Sequence, residues 1–244
     1  MIRLQKLLAE AGLASRRTVE GWIREGRVTI GDRTARLGDR AARTDEVRLD
    51  GRKLDLGGQA AGSELLLYYK PVGEVATRRD PQGRPTVFER LPRPRQGRWI
   101  SVGRLDVNTS GLLLLTTDGG LAHRMMHPSS EIEREYLVRV RGRPGPESLQ
   151  SLLEGVSLED GLAKFDRICA DTPGNGGHAS FRVVLHEGRN REVRRLWEAV
   201  GFQVSRLLRI RYGPVELPRD MRPGDTRLAD GPTLERLRTA IRLI

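Results

Sequence analysis

Four consecutive leucines, Leu112 to Leu115, stand directly behind a polar loop, Gly103-Arg104-Leu105-Asp106-Val107-Asn108-Thr109-Ser110-Gly111. Such a run must leave water as a buried strand, because each leucine side chain left exposed forgoes about 1.5–3 kcal/mol of transfer free energy. The loop is therefore tied to a rigid element, and a rigid mount holds side chains in the fixed geometry that catalysis needs. Asp106 is the acid of this loop flanked by an apolar residue on each side, Leu105 and Val107. Partial desolvation raises a carboxyl pKa, and an arginine partner restores the carboxylate. Two readings stay open from the pattern alone: a functional acid, or a turn cap that pairs with Arg104.

The chain has 244 residues, enough for one large domain or two smaller ones. Lysine and arginine total 43 against 32 acids, a net charge of +11. The cations are nearly all arginine; the lysines are Lys6, Lys53, Lys70 and Lys164. Codon usage can explain arginine over lysine, but it does not explain the shortage of acids. A basic excess points to a polyanionic partner, because arginine forks grip phosphates and release counterions. The competing reading is a solvated basic surface. No apolar run approaches the roughly 18 residues of a spanning helix. The start, Met1-Ile2-Arg3-Leu4-Gln5-Lys6, lacks the apolar stretch of a secretory signal. Cys169 is the single cysteine, which excludes an internal disulfide and a multi-cysteine zinc site. The expectation is a basic protein of the reducing cytoplasm with no membrane segment.

Residues 1–56 read as a compact charged unit. Leu4, Leu7, Leu8 and Ala11 fall at helical spacing and Gly12 ends that helix. Ser15 is a predicted N-cap for a second helix with Val19, Trp22 and Ile23 on one face. Strands are predicted at Arg27–Ile30 and Glu46–Leu49, with a turn at Asp50-Gly51. Residues 57–63, Gly-Gly-Gln-Ala-Ala-Gly-Ser, read as a linker. Residues 64–244 form the second expected domain. Its predicted strands are Leu65–Tyr69, Trp99–Val102, Leu112–Thr116, Tyr136–Val140, Ser180–Leu185 and Leu207–Tyr212. Its predicted helices are Gly120–Met126, Pro146–Gly155, Asn190–Val200 and Pro232–Leu243. Without regular βαβ alternation, the class is α+β with a mixed, largely antiparallel sheet flanked by helices.

A second cluster is Glu187-Gly188-Arg189-Asn190-Arg191-Glu192-Val193-Arg194-Arg195-Leu196. A helix N-terminus attracts phosphate, and arginines there reinforce it. A solvated helix face with Glu187 and Glu192 as partners is the alternative. Arg191 and Arg194 share a face three residues apart, and Arg194 falls at the core boundary. Tyr136 opens a strand, so its ring faces either a cleft or the core. His123 and His127 have metal-compatible spacing, but no third ligand accompanies them, so His127-Pro128 reads as the close of a helix. Asp118 reads as a turn residue, and so does Gly174-Asn175-Gly176-Gly177. No Gly-x-Gly-x-x-Gly or Gly-x-Ser-x-Gly is present, which argues against a nucleotide-cofactor enzyme or an elbow hydrolase.

Taken together, these motifs resemble the RsuA/RluB family of bacterial ribosomal RNA pseudouridine synthases over nearly the whole chain. Leu4-Gln5-Lys6-Leu7-Leu8-Ala9, Ala14-Ser15-Arg16-Arg17 and Glu25-Gly26-Arg27-Val28 resemble an S4 RNA-binding domain. Lys70-Pro71-x-Gly73 resembles the opening strand and turn of the catalytic domain. Gly103-Arg104-Leu105-Asp106 with Thr109-Ser110-Gly111-Leu112 resembles the signature that carries the nucleophile. Glu135-Tyr136 and Gly188–Arg195 resemble the two other active-site motifs, and Leu207 the leucine that packs on the base.

The resemblance implies that Asp106 engages the ribose of a flipped uridine, that Arg194 keeps it ionised by a charge-assisted pair, and that Tyr136 stacks on the base. It implies that Arg104 braces the space the uridine leaves, and that Lys70, Thr109, Arg191 and Leu207 bind substrate. Lys6, Ser15, Arg16, Arg17 and Arg27 would hold RNA in the S4 unit. No metal or cofactor is implied. Residues Thr77–Phe88 are more similar to the large-subunit (23S) branch than to the small-subunit (16S) one. The expected partner is 23S rRNA, free or within a ribosomal particle, bound by a monomer. The alternatives are a 16S enzyme and a non-catalytic assembly factor.

Overall fold

The computed structural model describes residues 1–56, 62–171 and 177–241. Most of the expected linker therefore lies outside the described residues. So do Gly174 to Gly176 of the expected turn and the last two residues of the helix expected over Pro232–Leu243.

The N-terminal pattern folds as its periodicity dictates. Leu4–Glu10 and Arg16–Arg24 are α-helices, broken at Gly12, whose φ of +77° is the left-handed conformation glycine tolerates best. Ser15 caps the second helix, its Oγ accepting from the Thr18 amide at 3.0 Å. Val19 and Ile23 are buried from that helix, with Trp22 packed partly against the same cluster. They meet Leu4, Leu7, Leu8, Val28 and Val47 in one apolar core. A four-stranded antiparallel sheet, in order Arg33–Thr34, Val28–Ile30, Val47–Leu49 and Arg52–Lys53, closes the other side.

By contact, the first compact unit holds more than residues 1–56. It comprises Met1–Leu65 together with Pro92–Val102 and Leu115–His123. Within it the Arg98 guanidinium donates to the Ala14 carbonyl at 2.7 Å, and Gly12 and Gly97 come close enough that a Cβ on Gly12 would lie 3.7 Å from the Gly97 Cα. Asp118 caps the helix Gly119–Met126 by accepting from the Gly120 and Leu121 amides, as its turn-like setting predicts.

The second unit comprises Leu66–Leu91, Gly103–Leu114 and Arg124–Ile244. Its sheet runs in the order Arg167–Ala170, His178–Leu185, Arg134–Arg141, Val204–Tyr212, Ser110–Thr116, Leu65–Lys70, Thr226–Leu228. The pairing of Val204–Tyr212 with Ser110–Thr116 is parallel, and the flanking pairings of Arg134–Arg141 are antiparallel. The sheet is thus mixed and the class α+β. Leu112, Leu113 and Leu114 are fully buried, as the leucine run requires. Along Arg134–Arg141 the side chains alternate: Tyr136, Val138 and Val140 are buried, and Arg139 and Arg141 are exposed.

The helix expected over Asn190–Val200 starts later, at Glu192. Arg191 has φ +49°, a left-handed conformation that no helix interior accommodates. From this helix Trp197 is fully buried, with ring centroids 5.0 Å from Phe181 and 6.2 Å from Phe165. Such ring pairs add about 0.5–1.5 kcal/mol each beyond area burial, which fixes the helix against the sheet. Among the described residues, no helix is long and apolar enough to cross a membrane.

Candidate active site

The loop before the leucine strand is held from beneath by two buried cations. Lys70, at the end of the strand Leu65–Lys70, is fully buried, and its Nζ donates to the Pro71 carbonyl at 2.8 Å and the Thr109 carbonyl at 2.9 Å. Arg194 is 8% exposed; its Nη2 donates to the Asn108 carbonyl at 2.8 Å and its Nη1 to the Val204 carbonyl at 2.9 Å. The loop closes on itself where the Thr109 amide donates to the Asp106 carbonyl at 3.0 Å, and Val107 O accepts from Gly73 N at 2.8 Å. Asp106 is half-buried above this frame.

Two cations therefore surround one carboxylate. Burial pulls the Lys70 ammonium down to about 8, and the Glu74 and Asp106 charges oppose that shift. Burial likewise lowers Arg194, reinforced by the nearby Arg191 charge and opposed by Asp106 and Glu198. Both cations feel the Asp106 charge, but not through the direct pair that the resemblance implies. Among the described residues Arg194 makes no ion pair with Asp106 within 4 Å; its guanidinium bonds go to carbonyls. The guanidinium positions the Asp106 loop through its backbone and acts on the carboxylate through space.

A cavity of about 620 Å³ opens beside this loop. Asn108 and Ser110 of the loop contribute to its wall, with Arg191, Arg194 and Leu207. Asp106, Tyr136, Arg104, Lys70 and Thr109 do not line it. Lys70 and Thr109 are both buried, Thr109 at 2% exposure: the Lys70 ammonium and the Thr109 backbone serve the loop's underside, so they support the site where substrate contact was expected. Arg104 is exposed. Tyr136 is 9% exposed and points to the same sheet face as Leu207, which pairs opposite Val138 on the neighbouring strand. The strands carrying Tyr136, Leu207 and the Asp106 loop are consecutive in the sheet.

The four arginines of the second cluster divide by partner. Arg189 donates to Glu187 and to the carbonyls of Asp160 and Leu162, and Arg195 forms a two-pronged pair with Asp160 at 2.8 and 2.9 Å. These two fasten the helix to the hairpin around Asp160. Arg191 and Arg194 face the cavity. Glu192, the first residue of the helix, is buried, and its carboxylate accepts from the Arg189 amide at 3.0 Å.

In the N-terminal unit the expected RNA contacts also divide. Arg16 and Arg17 are exposed and form no ion pair within 4 Å among the described residues. Lys6 faces Glu10 at 3.7 Å, and Ser15 is engaged as the helix cap. Arg27 already has partners: it grips both oxygens of Asp50 at 2.9 and 2.7 Å, meets Glu25 at 3.2 Å, and stands over Trp22. Two carboxylates already neutralise it, so it clasps the strand turn rather than presenting a free charge. Replacing Arg16 or Arg17 with alanine is expected to lower the salt slope of RNA binding by about 0.7–0.9 each, while Arg27→Ala leaves the slope near that of the parent and lowers the melting temperature. Filter binding over a salt series, with a thermal melt, checks this; an Arg27→Ala slope as low as that of Arg16→Ala would refute the division.

Comparison with known proteins matches this architecture. Residues 64–199 match the model of the RNA pseudouridylate synthase family, and residues 2–55 match the S4 domain. The chain belongs to the RNA pseudouridylate synthase family. Ribosomal large subunit pseudouridine synthase B of Escherichia coli K12 is 55% identical over 225 residues, covering 91% of this chain and 77% of the relative. The protein of that name from Pseudomonas aeruginosa is 54% identical over 230 residues, 93% of this chain and 59% of the relative. That from Xylella fastidiosa Temecula1 is 53% identical over 247 residues, 99% of this chain and 52% of the relative. The chain thus spans about half the length of the Xylella relative. A crystal structure of a pseudouridylate synthase superposes with a TM-score of 0.67 at 27% identity, covering 97% of this chain and all of that one.

The cavity wall also holds residues that the sequence did not mark as site residues: Tyr69, Val72, Arg141 and Arg206. The alternation Leu137-Val138-Arg139-Val140-Arg141 carried a usable signal for Arg141, since it turns every second residue outward. Nothing local marks the others, which meet the cavity only because distant strands become neighbours.

Proposed function

We propose that this chain isomerises a uridine of 23S ribosomal RNA to pseudouridine, as a monomer in the cytoplasm, on rRNA that is free or within an assembling particle. The observation that carries the reading is the Asp106 loop, bracketed by buried Lys70 and Arg194 beside an open cavity. A carboxylate nucleophile in a partly dry site needs opposite charge near it, and Lys70 and Arg194 both interact electrostatically with Asp106. The names of the relatives support the large-subunit substrate.

In this mechanism the target uridine leaves the RNA stack and enters the cavity, at a cost of a few kcal/mol for unstacking. Asp106 engages the ribose as the bond from C1′ to N1 breaks. The freed uracil turns within the cavity, and a bond forms from C1′ to C5. The proton on C5 is then lost, with the Tyr136 phenol as the assisting group, and N1 ends protonated. The product is an isomer of the substrate, so atoms balance with no added redox partner. Leu207 packs against the base, Arg104 fills the gap in the RNA, and Arg16 and Arg17 hold phosphates at the S4 unit.

The direct test incubates the purified chain with 23S and 16S rRNA transcripts, and with ribosomal particles, then maps pseudouridine. The expected result is one or a few modified positions confined to 23S rRNA. Modification of 16S alone would transfer the substrate to the small subunit, and binding without modification of any rRNA would leave an assembly factor.

A further inference from the structure

The outer face of the sheet carries arginines along its length, but only one end of it is charge-compensated. At one end Arg211 pairs with Glu133 and Glu135, both at 2.8 Å, and Arg182 lies 3.8 Å from Glu135 and 3.4 Å from Asp171. At the other end Arg139 stands directly opposite Arg206 on the antiparallel neighbour. Both are exposed, and neither forms an ion pair within 4 Å among the described residues. Residues so placed share one sheet face with Cβ atoms about 4.5–5.5 Å apart, and like charges there repel. Arg141, two residues beyond Arg139 on the same face, directs its guanidinium to the neutral Gln203 amide at 3.3 Å and forms no ion pair within 4 Å among the described residues. Arg141 and Arg206 both reach the cavity wall, on which Arg191 also lies. The strand irregularity next to Arg139 lets Gln203 to Leu207 line the cavity as consecutive residues, which joins the outer face to the cavity mouth.

A fold that keeps two arginines face to face, while acids neutralise the other end of the same face, leaves those charges for an external polyanion. We infer that Arg139, Arg206 and Arg141 form a track that holds the phosphodiester backbone of the RNA leading to the flipped nucleotide, an inference that rests on the RNA-modifying reading above. The track sets how the strand enters the cavity and is indifferent to base identity, because arginine forks read phosphates.

The test measures binding of the full chain to a 23S rRNA transcript across a potassium chloride series. The double variant Arg139→Gln, Arg206→Gln is expected to lower the salt slope by about 1.4, near 0.7 for each lost phosphate contact, and to raise Kd roughly tenfold at 0.15 M salt. Arg141→Gln is expected to move both in the same direction by about half as much. The double variant should melt no lower than the parent, since it removes a repulsive pair. Arg182→Gln, on the same face but already paired with acids, should leave the slope unchanged. An unchanged slope in the double variant, an equal fall in Arg182→Gln, or a parent that does not bind the transcript would each overturn the track. Pseudouridine formation on the same transcript separates the two readings. A parent that binds through these arginines yet modifies nothing keeps the track and removes the isomerase. A parent that modifies the RNA with a slope indifferent to them removes the track alone.

Discussion

Asp106→Asn is expected to abolish pseudouridine formation, by a factor on the order of 10⁴ or more, while RNA affinity stays within a few-fold of the parent. The substitution preserves side-chain volume, and the loop's own bonds use backbone atoms: Asp106 O accepts from Thr109 N, and Lys70 and Arg194 hold the carbonyls of Thr109 and Asn108. The frame therefore survives. What disappears is the one charge that both buried cations face across the loop. A neutral amide cannot attack the ribose, and it cannot stabilise positive charge as the glycosidic bond breaks. Single-turnover rates on a 23S transcript, with binding measured in parallel, check the result. A variant rate within threefold of the parent would refute the nucleophile assignment.

Gly111→Ala should prevent folding or cost at least about 3 kcal/mol. Gly111 pairs with Arg209 on the parallel neighbour and has φ +108°. A Cβ there would lie 2.2 Å from the Arg209 carbonyl oxygen and 2.6 Å from its nitrogen. Those are backbone atoms of a strand in mid-sheet, and they have no room to yield. Arg209 is 2% exposed and its Nε donates to the Leu112 carbonyl at 2.8 Å, which locks the two strands together at the very point of overlap. Gly224→Ala provides the control, since Gly224 has φ +97° with nothing within 4 Å of its added carbon. It carries conformational strain alone, about 1–2 kcal/mol. Urea unfolding of the two variants separates strain from collision. If Gly111→Ala is no less stable than Gly224→Ala, the close approach of the strands is not a constraint on the fold.

This second result also explains where the loop's rigidity originates. Ser110 and Gly111 are the residues at which the leucine strand joins its parallel neighbour, and Ser110 Oγ donates to the Leu207 carbonyl at 3.3 Å. The loop bearing Asp106 ends where Ser110 and Gly111 meet Leu208 and Arg209, so backbone geometry fixes the loop against the strand that carries Leu207. In the sequence, Gly111 is only one of 28 glycines. Its requirement for a bare Cα comes from a strand nearly a hundred residues later.

Local periodicity and local caps determined the elements. The leucine run became the buried strand, Ser15 and Asp118 became caps, and the alternation after Tyr136 became a two-faced strand, because each depends on residues within a few positions of one another. The same locality made Asp106 conspicuous as an acid between apolar neighbours. The destination of each arginine was decided by the tertiary structure. Arg27 meets Asp50 and Arg195 meets Asp160, whereas Arg191 and Arg206 reach the cavity. Arg194 bonds the Asp106 loop's backbone across 86 residues of sequence. An arginine side chain is long and flexible, and a periodic pattern fixes only the side of an element from which it leaves. Which anion or carbonyl lies within its reach depends on which distant segments the sheet order makes neighbours.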